Sequence, residues 1–275
     1  FGSPGGRPTP QQVRTALVEL GVDASDVRLA PDQPRGATLL AASGPTGPLL
    51  IRVLGRDERD ARVLSRMWHA LSYRHPHGRL LRSRFEVVEH HAYMVLRAEH
   101  GGGGAPDVVA PGAAGRGAVL LVERDVPAVP LASLPAERLT ERFLESAWEQ
   151  VRLLHEAGVV HLDLTCRTMV LADEGPMLVG FSHAEVVGPS SLPGNDVASF
   201  LVDTARLVGP DRAVAAAAFG IGHERLAEAL PLLQTAALPP SLRPRRRAAT
   251  HELSARLEAL RATTAHALTG EAPDL

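Results

Sequence analysis

The spacing of apolar residues changes once along this chain, from short extended runs to long helical stripes, and that change limits the fold more than any other feature. "QQVRTALVEL" at 11–20 has helical spacing and stops at Gly21. Three β-like runs follow, "DVRLA", "ATLLAAS" and "PLLIRVLG", separated by the turns "PDQPRG" and "GPTG". Helical patterns at 57–74 and over "RFEVVEHHAYMVLRAEH" come next, then "GGGG" at 101–104, then the strand candidates "PDVVAPG" and "AVLLVER". Beyond a Pro-containing connector at 125–135, which reads as a hinge between lobes, the pattern is helical. An amphipathic helix over 137–157 closes at Gly158, two short strands at 159–181 flank the turn "DEG", and four helical segments follow from residue 195. β-rich then α-rich order predicts an α+β fold.

Composition enters mainly through what it removes. With 45% apolar residues and net charge −2, disorder and nucleic-acid binding are not expected. The single cysteine, Cys166, forms no internal disulfide and fits a reducing compartment. No apolar run has bilayer length and no signal peptide is visible. Residues 1–10 and 269–275 read as linkers. The chain has no lysine, its 29 basic side chains all being arginine, and one asparagine, Asn195. Such usage points to a high-GC bacterial genome.

The stretch "VVHLDLTCRTMVLADEGPMLVGFSHAEV" at 159–186 carries the chemistry, or its remains. "HLDLTCRTM", preceded by "LLHEAGVV" and followed by "MLVGFSHAEV" and "NDVASFL", resembles the protein-kinase-like fold of the small atypical kinases (RIO-like and aminoglycoside-phosphotransferase-like), whose catalytic loop reads H-G-D-L-T-x-x-N. The match falls at His161, Asp163, Leu164 and Thr165, and the resemblance spans roughly residues 26–210. It implies a bilobal molecule: a small β-rich N-lobe over 11–124, with an extra helix at about 57–74, and a larger α-helical C-lobe over 125–268.

Against that family's pattern the reacting groups are missing. The resemblance puts Arg52 at the phosphate-binding lysine, and the forked guanidinium substitutes poorly for a compact ammonium. Its helix partner would be Glu89, or nearby Glu86; the pair is either a structural strut or two surface charges. Thr168 stands at the metal-binding asparagine and Gly180 at the metal-binding aspartate. Magnesium needs hard oxygen ligands, which neither position supplies well. Of the Gly-rich loop only Gly36 remains. Asp163, the candidate base, cannot move a phosphoryl group alone.

His161 reads as a buried structural histidine, Cys166 as a small core residue, Asp173 and Glu174 as turn residues, and Asp196 as a cap or buttress of its helix. His183 and Glu185 are the only replacement ligands near Gly180. About a dozen residues separate Phe181 from Asp196, with Ser190 and Ser191 among them and no A-P-E-like element. No metal and no cofactor are expected; a nucleotide would be held weakly and without metal, by Arg52, Gly36 and Glu123.

"LLIRVLGRDERDARVLSRMWHALSYR", "VEHHAYMVLRAE" and "ALTGEAPDL" further resemble the soluble kinase-like module of actinobacterial membrane proteins with a lysylphosphatidylglycerol-synthase or flippase-type transmembrane region. This implies a cytoplasmic regulatory or scaffolding domain at the inner face of the plasma membrane, partnered by another protein or by its own membrane region. Met67, Trp68, Leu71 and Tyr73 either pack an N-lobe helix inward or form a docking surface. "RPRRR", with Arg243, Arg245, Arg246 and Arg247, is either a solvated loop or an attachment to anionic headgroups. The reading is thus a pseudokinase; the alternatives are an atypical phosphotransferase with rearranged metal ligands and a purely structural domain.

Overall fold

A computed structural model describes residues 9–31, 33, 37–54, 83–115, 117–188, 193–239, 241–243 and 247–269. The fold is mixed α+β. Contacts divide the chain into two compact units, Phe1–Leu96 with Pro106–Val126, and Arg97–Ala105 with Pro127–Leu275. The boundary expected after residue 124 falls after Val126. Arg97–Ala105, expected in the first unit, goes with the second, because Arg97 donates from Nε and Nη2 to the Ala157 carbonyl and the Gly104 amide donates to Gln150 Oε1. The extra helix expected at 57–74, with Met67, Trp68, Leu71 and Tyr73, lies outside the described residues, as do Gly36, Ser190, Ser191, Arg245 and Arg246.

The first unit is built on an antiparallel sheet of β1 (Ser25–Leu29), β2 (Thr38–Gly44), β3 (Gly47–Leu54), β4 (Val108–Ala113) and β5 (Val119–Arg124), in the order β1-β2-β3-β5-β4. Helix α1 (Pro10–Glu19) begins behind a Thr9–Gln12 capping box and covers one face. Val13, Ala16 and Leu17 pack there on Leu40, Ile51, Val53, Leu120 and Val122. Helix α2 (Arg84–His100) covers the other face, where Val88 and Ala92 pack on Leu54, Val119 and Leu121. With both faces covered, β5 reads as an unbroken apolar run rather than an alternating one, and Val119–Val122 are all buried.

In the second unit the amphipathic helix α3 runs Glu141–Glu156, starting later than the 137–157 expected and ending one residue sooner. Residues Ala136–Arg138 form a separate 3-10 turn, and Thr140 accepts from the Phe143 amide as the N-cap. Helices α4 (Pro193–Val208), α5 (Pro210–Ile221), α6 (His223–Ala229) and α7 (Arg247–Thr269) complete the helical part. Buried Trp148 of α3 packs tilted on Phe200 of α4, ring centroids 4.7 Å apart. A Cβ on Gly220 would strike the Trp148 Cβ, so the close approach of α3 and α5 requires glycine there.

Five short strands finish the second unit. β6 (Val129–Pro130), β8 (Met169–Ala172) and β9 (Gly175–Leu178) form one sheet, and β7 (Val159–Val160) pairs with β10 (Glu185–Val186). Asp173 and Glu174 make the exposed turn between β8 and β9, as their sequence suggested. Among the described residues no helix is long and apolar enough to cross a membrane.

Candidate functional site

The loop His161–Thr168 leaves β7 and enters β8, and a single buried carboxylate fixes its start. Asp196, in the first turn of α4, is 1% exposed. Its Oδ2 accepts from the His161 amide at 2.6 Å and faces His155 Nε2 at 3.2 Å; its Oδ1 accepts from the Leu162 amide at 2.8 Å. Asp196 therefore holds the loop rather than merely capping its own helix. The grip makes Leu162 left-handed, φ +61°, a costly conformation for a residue with a Cβ.

The fully buried His161 contacts the Val179 carbonyl through Nε2 at 3.0 Å, and its ring lies 5.3 Å from that of Phe181. It is a spacer between the loop and the segment before Gly180. At the far end of the loop the Cys166 amide donates to Asp203 Oδ2 at 2.9 Å. Burial first, and the Asp203 carboxylate second, push the Cys166 thiol far up, so it stays protonated.

Thr168 is occupied inside the loop. Its hydroxyl accepts from the Thr165 amide at 2.9 Å and lies 3.0 Å from the Asp163 carbonyl and 3.2 Å from that of Thr165. Gly180 has φ +86°, and a Cβ built on it would lie 3.3 Å from Thr168 Cγ2. The two positions assigned to metal ligands by resemblance are thus side by side. One offers no side chain and the other an already bonded hydroxyl. Half-buried Asp163 keeps its carboxylate at the loop surface, where Oδ1 accepts from Ser241 Oγ at 3.3 Å. Among the described residues no group of three or more His, Cys, Asp or Glu side chains is arranged to hold a metal ion, His183 and Glu185 included.

In the first unit, Arg52 lies on the α2-facing side of β3, but its expected partner is not Glu89. Glu89 is exposed, and exposed Glu86 closes a capping box with Ser83, accepting from the Ser83 amide at 2.8 Å. The reason is helical phase. Val88, His91, Ala92 and Val95 form the buried stripe, and Glu89 lies off it. His91 Nε2 instead meets Glu123 Oε1 at 3.4 Å, both side chains almost fully buried. Burial alone would raise the Glu123 carboxyl; the bond and charge of His91 and the Arg52 guanidinium outweigh it, leaving the carboxyl below its ordinary range. Glu123, expected to help hold a nucleotide, is a strand residue whose side chain is committed inward. Among the described residues the buried Arg52 Nε finds no hydrogen-bond partner.

Arg243, expected to face a lipid surface, is also turned onto its own chain. Its Nε donates to the Leu238 carbonyl at 2.7 Å and its Nη2 to that of Ala236 at 2.8 Å. Three working residues were missed by sequence reading: His91, Asp203 and Ser241. The first two left a signal, a histidine inside the apolar stripe of α2 and an aspartate two turns after Asp196. Ser241 left none. Comparison with protein-family models and with curated proteins finds no match to this chain.

Proposed function

We propose that this chain is a catalytically inactive kinase-like domain, a pseudokinase, that works as a regulatory or scaffolding module carried on the cytoplasmic side of a larger membrane protein. The supporting observation is the pairing of Thr168 with Gly180. They stand side by side at the two positions where the resembling kinases place magnesium ligands, and neither supplies a carboxylate. Phosphoryl transfer is catalysed largely by metal ions and cationic side chains that offset phosphate charge. The Arg52 guanidinium helps to hold the buried Glu123 carboxyl below its ordinary range, an interaction inside its own unit. Asp163 alone stabilises neither the triphosphate nor its transition state.

The module's work then lies in binding a protein partner or its own membrane region. The run Arg245, Arg246, Arg247 supplies positive charge for anionic headgroups, about 1 kcal/mol per basic residue near the surface. A thermal-shift titration with ATP, with and without magnesium, tests the reading. A ligand present at about 100 times its Kd stabilises by about 2.7 kcal/mol. No magnesium-dependent shift is expected, and a large one overturns the proposal.

A further inference from the structure

We infer that the Asp163 carboxylate is a hydroxyl-binding group and that Ser241 fills its site in cis, as a built-in pseudosubstrate. The role of position 163 rests on the kinase-like reading above; its occupant is new. Ser241 Oγ lies 3.3 Å from Asp163 Oδ1, across 78 residues of sequence.

Both sides of this contact are held by other bonds, so it does not depend on a wandering side chain. On the Ser241 side, the Leu242 amide donates to the Pro239 carbonyl at 3.0 Å. Leu238 is fully buried and Leu242 is buried, which anchors the segment at both ends. The Arg243 fork on the Leu238 and Ala236 carbonyls closes it. On the Asp163 side, the Leu162 amide is fixed by Asp196 and the Asp163 carbonyl faces the Thr168 hydroxyl. Two independently anchored segments therefore bring a hydroxyl to a carboxylate. In phosphoryl transfer the catalytic-loop aspartate accepts the hydroxyl of the substrate. Ser241 supplies that hydroxyl from within the chain, as a ground-state hydrogen bond with no proton transferred. An intramolecular occupant has an effective concentration of about millimolar or more, so a weak external alcohol does not displace it.

Carbodiimide-driven amide labelling of carboxylates, read by peptide mass spectrometry on the full chain without nucleotide, tests this. In Ser241→Ala, Asp163 should label about fivefold faster than in the unsubstituted chain, the factor expected for one lost exposed hydrogen bond. Ser241→Thr, which keeps the hydroxyl, should label as the unsubstituted chain does. Buried Asp196 serves as an internal gauge and should not change. Equal labelling of Asp163 in the unsubstituted and alanine chains overturns the inference. So does a rise at Asp196 equal to that at Asp163, which would report general loosening. Because no nucleotide is present, phosphotransfer found in a separate assay would overturn the pseudokinase reading while leaving Ser241 at Asp163.

Discussion

Asp196 and Asp203 stand two turns apart on α4 and hold opposite ends of one loop, Asp196 through the His161 and Leu162 amides and Asp203 through the Cys166 amide. One helix face thus sets the conformation of residues 161–168. The two grips differ in strength. Asp196 is buried and shares its carboxylate among three donors, whereas the Asp203 side chain is 14% exposed and also meets the exposed Arg206 at 3.4 Å.

Removing them should therefore cost different amounts. Asp196→Ala leaves buried donors without an acceptor and should lose about 3–5 kcal/mol, in the range for breaking a buried charged network. Asp203→Ala should lose about 1 kcal/mol. Urea unfolding at neutral pH measures both. The opposite order would mean that the loop is not held by Asp196.

The His91–Glu123 pair should show itself in acid. The Glu123 carboxyl is held below its ordinary 4.5, so its contribution is fully present above that value and is lost as pH falls through the lower, folded value. Glu123→Gln should be less stable at neutral pH and should lose less further stability on acidification. The difference in unfolding free energy between the two proteins should shrink as pH falls below 4.5. A constant difference across that range would show that Glu123 does not ionise differently on folding.

Cys166 should be inert in the native state. Its thiol is 1% exposed and pushed far up, so little thiolate forms at ordinary pH. Reaction with a disulfide reagent should track the opening of the protein and accelerate sharply in denaturant. Rapid stoichiometric reaction of the folded chain would contradict its placement.

Much of the fold was written locally. The helical spacing of 11–20 announces α1, the β-like run "PLLIRVLG" announces β3, and Asp173–Glu174 announce the turn between β8 and β9. What was not legible depends on how elements rotate and meet. The sequence places Glu89 and His91 on the same helix, but only the packing of Val88 and Ala92 on the sheet makes His91 the residue that meets Glu123. Strands β6, β7 and β10 have two residues each, too few to show a period. The left-handed turn at Leu162 has no local glycine; it is imposed by Asp196, which lies 34 residues away.

Restoring the missing groups has a structural cost that can be measured first. Gly180→Asp puts a side chain at φ +86° and a Cβ against Thr168 Cγ2, and should destabilise by about 1–2 kcal/mol. Thr168→Asn removes the hydroxyl that braces the Thr165 amide and should cost about 1 kcal/mol. The two residues are in contact, so their effects should not simply add. Additive losses in thermal unfolding would mean that positions 168 and 180 are energetically independent.

Transfer of radiolabel from ATP in the presence of magnesium or manganese, to the chain itself and to added protein and small-molecule acceptors, decides whether the chemistry has gone. The unsubstituted chain and Asp163→Asn should both show no transfer above background. Transfer by the unsubstituted chain that disappears in Asp163→Asn would contradict the pseudokinase reading and make Asp163 a working base.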